Sequence, residues 1–255
     1  MKYLSLSILI ASLVLVPMPG AAAGGPGEDN MSVLVVGASG RTGRLAVAQL
    51  MRLGIETRAM TRNVDRAREK AGSRFDWVEG DVSDPASLVA PVAGVSYVVA
   101  AMAASFRDPT NSPQSVDHQG VVNLVNAARK AGVSKLVLIS SMGVTRSETI
   151  ESEYMQGMLK AKLAGEDYLR ESGIPYTIIR PGGLTDDPPN LKALALTQGD
   201  KAPFASIARA DLARVAVECL TNANALNKTF ELTGADDGDP DAWLATLSAL
   251  QSDKR

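Results

Sequence analysis

The stretch from Val33 to Leu50, VLVVGASGRTGRLAVAQL, constrains the fold most strongly, because it joins an apolar strand to a helix through a glycine turn. Its glycines, Gly37, Gly40 and Gly43, are spaced three residues apart. In a dinucleotide-binding βα unit, such glycines allow the tight turn, the approach of backbone N–H groups to a pyrophosphate, and close packing of the helix on the sheet. The motif therefore predicts a dinucleotide whose phosphates lie at the helix N-terminus. The predicted contacts in this loop are Gly37, Ser39, Gly40, Arg41, Thr42 and Gly43.

Apolar strand-like segments and helical patterns alternate along the chain after Ser32. This alternation is typical of βα units, whose parallel strands are buried on both faces of the sheet. We therefore predict an α/β fold with a doubly wound parallel sheet of the Rossmann type, formed by a single domain over residues 32–255. The predicted strands are SVLVV, IETRAM, FDWVEGD, VSYVVAAMA, VSKLVLISS, PYTIIRPGG and KTFELTG.

Two segments lie outside this βα pattern. Residues 182–207 form a long irregular stretch after the sixth predicted strand, at the carboxyl edge where ligands bind in such sheets. Two interpretations stay open for it: a lid on the substrate side, or an ordinary packed loop with a short helix. The polar tail, residues 251–255, is expected to fray.

Residues 1–24 form an apolar leader that precedes the predicted domain. Lys2 is followed by an apolar run from Leu4 to Val16, then by prolines, a glycine and three alanines. This layout is typical of a secretory signal peptide and predicts an exported protein, periplasmic or secreted, with residues 25–31 as a linker. Two alternatives stay open: an uncleaved anchor, or a cytoplasmic protein that starts at Met31. The run is short for a membrane span, so no stable span is expected after cleavage.

The charge and the cysteine content exclude several kinds of partner. The formal net charge is −2, and this balance gives no indication of nucleic-acid binding. Cys219 is the only cysteine and His118 the only histidine, so an intrachain disulfide is impossible and a Cys/His zinc site is not expected. We therefore predict no metal site, and a small-molecule substrate as the partner.

The end of the second predicted strand bears on the choice between NAD(H) and NADP(H). An NAD site usually has an acidic residue there, which binds the ribose hydroxyls. Here the strand ends RAMTRN, and Glu56 stands at its beginning. Arg62 stands where a 2′-phosphate would bind, Arg41 lies in the glycine loop, and a guanidinium matches phosphate geometry. We therefore predict a preference for NADP(H).

The ends of the third and fourth predicted strands supply further candidate contacts. Asp81 is placed to accept a hydrogen bond from the adenine amine, and Val82 to pack on the adenine ring. Ala100 and Ala101 begin a run of small residues that leaves room for the cofactor ribose.

Several motifs occur in the order seen in the atypical NAD(P)-binding branch of the short-chain dehydrogenase/reductase superfamily, which the chain resembles from Ser32 to Gly234. The resemblance is to the group that contains biliverdin-IXβ/flavin reductases, NmrA-like redox sensors and NADP-binding chloroplast proteins. RPGGLTDD is the most specific motif; in the family this loop lies beside the nicotinamide, which implies contacts from Pro181, Gly182 and Gly183. The resemblance also implies a monomer or a small homo-oligomer. The motifs are GASGRTGR, RAMTRN, GDVSD, VDHQGVVNLVNAARKAGVSKLVLISSMG, KAKLAGEDYLRESGIPYTIIRPGGLTDD and FELTG.

The chain departs from the superfamily at its usual proton donor. That donor is a tyrosine four residues before a lysine on one helix, where the two side chains meet across one turn. Lys162 occupies the lysine position, but Met158 stands four residues earlier, and Tyr154 is a further turn back. Lys162 is expected to bind the nicotinamide ribose, and Ser140 or Ser141, at the end of the fifth strand, to contact cofactor or substrate. Lys162 and Ser141 are therefore the candidate catalytic residues.

These features favour an NADPH-dependent reductase for a planar acceptor such as a flavin, quinone or tetrapyrrole, because hydride transfer needs little protein chemistry once the reactants are stacked. The missing tyrosine supports an alternative, a non-catalytic NADP(H)-binding redox sensor or assembly factor. A sugar-nucleotide epimerase or dehydratase fits poorly, because such enzymes need the tyrosine and a larger C-terminal domain.

Overall fold

The computed structural model describes residues 31–105, 111–235 and 238–254. The predicted leader, residues 1–24, and all of the predicted linker except Met31 lie outside the described residues. The strands are β1 Ser32–Val36, β2 Glu56–Thr61, β3 Asp76–Glu79, β4 Tyr97–Ala100, β5 Lys135–Ile139, β6 Tyr176–Pro181, β7 Gly183–Thr185, β8 Leu194–Thr197, β9 Ser206–Ala208 and β10 Lys228–Gly234. The helices are α1 Arg41–Arg52, α2 Val64–Ala71, α3 Val89–Val92, α4 Gln119–Ala131, α5 Glu153–Glu171, α6 Arg209–Thr221 and α7 Trp243–Ala249.

The main sheet has eight strands in the order β3-β2-β1-β4-β5-β6-β10-β8. All neighbouring pairs are parallel except β10 and β8, which are antiparallel. The strand order reverses between β1 and β4, and such a switch point opens a crevice for a ligand at the carboxyl ends of the strands. The predicted doubly wound, Rossmann-type fold is confirmed.

β1 shows why the sheet is covered on both sides. Its side chains alternate between the two faces, as the period of a strand requires. Val33 and Val35 join the apolar cluster that contains α1 and α6, whereas Leu34 and Val36 join the cluster that contains α4 and the end of α5. An uninterrupted apolar strand is therefore the sequence signal of a sheet between two helical layers.

The segment 182–207 is more regular than expected, and its interpretation as a lid stays a prediction. It contains three short strands, and no helix was found in it. β8 pairs with β10 and thereby shields the edge of β10. β7 pairs with β9 in a separate two-stranded sheet. The expectation of an irregular loop was wrong because these strands find their partners far away in the sequence.

The C-terminal tail is also better anchored than expected, up to Lys254. The carboxylate of Asp253 accepts hydrogen bonds from the hydroxyls of Tyr176 (2.8 Å) and Thr229 (2.6 Å). It also lies 3.4 Å from the guanidinium of Arg170. Three polar groups on β6, β10 and α5 therefore hold the tail against the sheet.

Two helices are preceded by turns that are not α-helical. A 3₁₀ turn, Pro85–Leu88, leads into α3, and the Asp84 side chain caps this turn by accepting from Ala86 N–H at 3.0 Å. A π-helical turn, Gln114–His118, leads into α4. In the part of the chain that the structure describes, no helix combines the length and the apolar character that crossing a bilayer requires.

Candidate functional site

The turn between β1 and α1 leaves no room for a side chain at Gly37. This residue has a φ of +77°, a conformation that costs other residues energy. A Cβ atom at Gly37 would lie 2.9 Å from the carbonyl group of Ala101 and 2.9 Å from the backbone nitrogen of Met102. The turn therefore packs directly against the chain that leaves β4.

The start of α1 is equally close to this turn. A Cβ atom at Gly43 would lie 2.3 Å from the carbonyl oxygen of Gly37, and the Gly40 N–H donates to the same oxygen at 2.9 Å. Within the described ranges, no side chain caps the first turn of α1. Its N–H groups thus offer an anion site, and the predicted role of Gly43 in close helix packing agrees with this geometry.

A cavity of about 230 Å³ lies at the carboxyl ends of β1, β2 and β4. It lies at the predicted dinucleotide position, beside the switch point of the sheet. Seven predicted cofactor contacts line it: Gly37, Ser39, Gly40, Arg62, Asp81, Val82 and Ala101.

Side chains hold this lining in place. The Thr61 hydroxyl donates to Ser39 Oγ at 3.2 Å, joining the end of β2 to the glycine turn. Asn123, buried on α4, donates its amide to the carbonyl of Val82 at 2.8 Å. Asp81 Oδ1 accepts hydrogen bonds from the backbone N–H and the hydroxyl of Ser83, each at 2.8 Å. The segment that follows β3 is therefore fixed beside the cavity.

Arg41 points away from this cavity. Its guanidinium lies 2.8 Å from Asp186, which follows β7, and Asp186 also contacts Arg209 at 2.8 Å. Desolvation acts to raise the pKa of Asp186, but Arg209 and Arg41 lower it below its usual value. Arg41 lines a neighbouring groove of about 730 Å³. The structure thus separates Arg41 from Arg62.

Thr42 and Ala100 also do not line the cavity, since Thr42 belongs to α1 and Ala100 is buried in β4. In the described ranges, no group of three or more His, Cys, Asp or Glu side chains is arranged to hold a metal ion.

Lys162 on α5 forms an ion pair with Asp117, a contact that the sequence did not indicate. Its Nζ lies 2.7 Å from Asp117 Oδ1, and Asp117 Oδ2 accepts from the N–H of Ala104 at 3.0 Å. Both side chains are nearly inaccessible to solvent, with exposed fractions of 9% for Lys162 and 1% for Asp117. A buried ion pair joins α5, the turn before α4 and the chain that follows β4.

Of the two candidate serines, Ser140 faces this ion pair. Together with Lys162, Asp117 and Met102 it lines a small cavity of about 10 Å³. The Ser140 Oγ atom is buried and has no hydrogen-bond partner among the described residues, which is costly unless a ligand or solvent pairs with it. The Ser141 hydroxyl instead donates to the carbonyl of Met142 at 3.1 Å, and Ser141 lines neither cavity.

Gly182 and Gly183 follow the end of β6, as the motif indicated. A Cβ atom at Gly182 would lie 1.9 Å from the carbonyl oxygen of Ala205, and the Gly183 N–H donates to that oxygen at 3.0 Å. The Phe204 ring lies against Gly183, within 3.2 Å of where a Cβ atom would stand, and is 73% exposed. An accessible aromatic ring thus flanks this glycine pair.

A buried ion network fixes the strand that carries these glycines. Arg180, next to Pro181 on β6, donates to both carboxylate oxygens of Glu166 on α5, at 3.1 and 2.6 Å. Its guanidinium also lies 3.6 Å from Glu231 on β10. Burial raises the pKa of Glu231, although Thr197 and Arg180 act in the opposite direction.

Asp117 and Phe204 are the main residues that sequence reasoning missed. The only signal for Asp117 in the sequence was its place in the VDHQG stretch, three residues before Gly120. Phe204 lies in the segment that was taken as irregular, and nothing in the sequence indicated that it contacts Gly183.

Comparisons with known proteins identify the family of this chain. A family model described as NAD(P)H-binding matches residues 37–223. An uncharacterized chloroplastic protein of Arabidopsis thaliana is 37% identical over 212 residues, 78% of this chain and 75% of that protein. Sanguinarine reductase of Eschscholzia californica is 29% identical over 251 residues, 83% of this chain and 92% of that protein.

Two further similarities bear on fold and function. The photosystem II assembly factor Ycf39 of Cyanophora paradoxa is 26% identical over 213 residues, 80% of this chain and 64% of that protein. A solved structure described as a putative NAD-dependent epimerase/dehydratase from Bacillus halodurans has a TM-score of 0.73 at 27% identity, and the match covers 86% of this chain and 99% of that one.

Proposed function

Because the chain belongs to the NAD(P)H-binding family, we propose that it is an NADPH-dependent reductase of a small planar aromatic, quinone-like or flavin-like acceptor. One observation carries this proposal. The glycine turn, which has no room for a Cβ atom at Gly37, and Arg62 line one cavity at the switch point of the sheet. We infer that a dinucleotide binds there with its phosphates at the uncapped start of α1.

The preference for NADP(H) is supported by Arg62. β2 ends at Thr61, and Arg62 follows directly, on the cavity wall. A guanidinium there pairs with a 2′-phosphate, whereas an acidic residue at this place would favour the free ribose of NAD. Arg41 contributes to this preference only if it leaves Asp186.

The residues around the Lys162–Asp117 pair supply groups that would bind the nicotinamide half of the cofactor. A bound reduced nicotinamide would supply the hydride. We propose that Lys162 Nζ, which keeps two N–H donors beyond the one that Asp117 accepts, binds the nicotinamide ribose. Ser140 Oγ, which is buried and has no hydrogen-bond partner among the described residues, would donate a hydrogen bond to the cofactor or the acceptor, and the proton that the reduced acceptor takes up would come from solvent. Ser141 has no part in this scheme, because its hydroxyl bonds to Met142.

An aromatic acceptor is supported by Phe204 and by one relative. The exposed Phe204 ring beside Gly183 offers a stacking surface next to the loop that, in the resembling family, lies beside the nicotinamide. Sanguinarine reductase, a relative at 29% identity, is named for an organic acceptor.

The test uses the full chain. Titration with NADPH and NADH, followed by quenching of Trp77 and Trp243 fluorescence, should show tighter NADPH binding. Arg62→Ala should weaken NADPH about tenfold or more, the order of one hydrogen bond to a charged group, and leave NADH unchanged. Arg129→Ala, which removes an exposed arginine of α4, is the control for charge. Flavin, quinone, biliverdin and sanguinarine then test acceptor-dependent NADPH oxidation.

A second candidate function is a non-catalytic NADP(H) sensor or assembly factor. It is supported by Met158, which stands where the superfamily places its tyrosine, and by the similarity to an assembly factor. Tight NADPH binding without oxidation by any acceptor in the panel would favour it. Failure to bind either nucleotide would refute both functions.

We further propose that residues 1–24 are a targeting leader and residues 25–31 a linker to the domain over residues 32–255. Several relatives are chloroplastic, which supports a targeting role but leaves export and a cytoplasmic Met31 start to be distinguished. N-terminal sequencing of the protein purified from its own cells distinguishes them. Sedimentation of the same sample tests the proposed monomer or small homo-oligomer.

A further inference from the structure

We infer that Asp117 is a positioning residue, which holds the Lys162 ammonium against the nicotinamide half of the site. The inference rests on the proposed function, because it assigns a task within that site. Its basis is the buried pair of Asp117 and Lys162, in a chain whose Met158 stands where the superfamily places its tyrosine.

Both carboxylate oxygens of Asp117 are occupied. One accepts from Lys162 Nζ at 2.7 Å and the other from Ala104 N–H at 3.0 Å. The carboxylate is thus fixed at two points, and it fixes in turn a lysine whose four-carbon stem is otherwise flexible. The second bond also joins the pair to the chain that follows β4, which lines the dinucleotide cavity through Ala101 and Met102.

The local backbone is shaped around this contact. Asp117 lies in the π-helical turn Gln114–His118, a rare conformation that is frequent at functional sites. α5 approaches this turn so closely that a Cβ atom at Gly165 would lie 2.5 Å from the Asp117 carbonyl oxygen. Gly165 is three residues after Lys162, so the same approach brings the lysine to the carboxylate.

The location of the Asp117–Lys162 pair relative to the sheet assigns this pair to the nicotinamide half of the site. Arg62 and Asp81, which the adenosine half would contact, line the cavity on the side of β2 and β3. A dinucleotide crosses the switch point between β1 and β4, so its other half extends towards β5. Ser140, which follows β5, lines the small cavity that it shares with Asp117 and Lys162.

A purely structural role for Asp117 makes a different prediction. A buried ion pair contributes little to stability by itself, but its disruption leaves an uncompensated charge and weakens the whole fold. Such damage would affect both halves of the site equally. A positioning role affects the nicotinamide half alone and acts through Lys162.

The experiment compares NADPH with 2′,5′-ADP, which carries only the adenosine half and the 2′-phosphate. Full-length wild type, Asp117→Asn, Lys162→Met and the double variant are titrated with both ligands. We expect Asp117→Asn to weaken NADPH about tenfold, the order of one hydrogen bond to a charged group, and to change 2′,5′-ADP less than about twofold. In the Lys162→Met background the Asp117 substitution should add nothing, because the residue it positions is gone.

Asp200→Asn is the matched control. Asp200 is also fully buried, and its carboxylate accepts backbone N–H groups of Gly143 (2.7 Å) and Thr145 (3.0 Å). It should lower thermal stability without changing the ratio of the two dissociation constants. Equal weakening of both ligands by Asp117→Asn, no weakening of either, or an effect that persists without Lys162 would each overturn the inference. Wild-type protein that binds 2′,5′-ADP and NADPH keeps the proposed function in all three cases.

Discussion

The contribution of Lys135 to the stability of this protein should become more favourable in alkaline solution. This lysine begins β5 and is only 5% exposed. Its Nζ donates to the carbonyl of Cys219 at 2.6 Å and approaches that of Asn222 at 3.5 Å, at the end of α6. Burial lowers the pKa of Lys135 from 10.5 to about 8, although Cys219 acts in the opposite direction.

The size and the sign of the effect follow from this pKa. The folded and unfolded values differ by about 2.5 units, and each unit corresponds to about 1.4 kcal/mol, so the effect approaches about 3 kcal/mol. Below pH 8 the lysine is charged in both states, and folding carries the full cost of burying the charge. Between pH 8 and 10.5 Lys135 holds more of its proton in the unfolded chain than in the folded one, so its contribution to the free energy of unfolding rises with pH.

Urea unfolding at pH 7.5, 9 and 10.5, followed by tryptophan fluorescence, measures this rise. Lys135→Met removes the buried charge, and Lys130→Met, at an exposed position of α4, is the control. Other groups titrate in all three proteins, so the difference between wild type and Lys135→Met isolates Lys135. If that difference is independent of pH while the control behaves as wild type, the reasoning from burial to proton linkage is wrong.

Three other substitutions test separate parts of the structure. Gly37→Ala should abolish NADPH binding in the fluorescence titration, because the added methyl group would clash with Ala101. Gly54→Ala is the control: Gly54 has a similar positive φ but no atom within 4 Å of the added methyl group, so this substitution should lower stability and leave NADPH binding intact. Phe204→Ala should lower kcat/KM for planar aromatic acceptors about tenfold and leave the NADPH dissociation constant unchanged. An equal loss of kcat/KM for a small non-aromatic acceptor would contradict stacking of the acceptor on the Phe204 ring. Asp253→Ala should lower the free energy of unfolding by about 1–3 kcal/mol, measured by thermal denaturation; an unchanged midpoint would mean that the tail does not stabilise the sheet.

The lining of the cavity at the carboxyl ends of β1, β2 and β4 was largely predictable because it is encoded locally. Gly37, Gly40 and Gly43 lie within one turn and the start of one helix, and each glycine restricts the backbone around itself. Arg62 and Asp81 follow strands whose carboxyl ends meet at one edge, so the order of the strands alone brings them together. The contact of Arg41 could not be predicted, because its side chain reaches a carboxylate 145 positions away.

Two parts of the fold, β8 and the C-terminal tail, were less predictable because they depend on contacts between distant segments. β8 has only four residues and forms by adding to the edge of β10, more than 30 residues later in the chain. The tail is held by Tyr176 and Thr229 through a carboxylate that the sequence presents as an ordinary polar end. Neither feature has a periodicity of its own, so propensity and pattern favoured loops.

The missing tyrosine constrains the acceptor more than it argues against catalysis. A tyrosine is essential where hydride addition creates a localised oxyanion that needs a strong acid beside it. Acceptors whose reduced form spreads the charge over a ring system, or that start as cations, need no such acid, and solvent completes the reaction. In the proposed function, Lys162, held by Asp117 and with Ser140 beside it, has only to orient the cofactor. The proposal therefore predicts turnover of flavin-like, quinone-like or aromatic cationic acceptors and little turnover of simple ketones, and comparing these two groups of acceptors tests it directly.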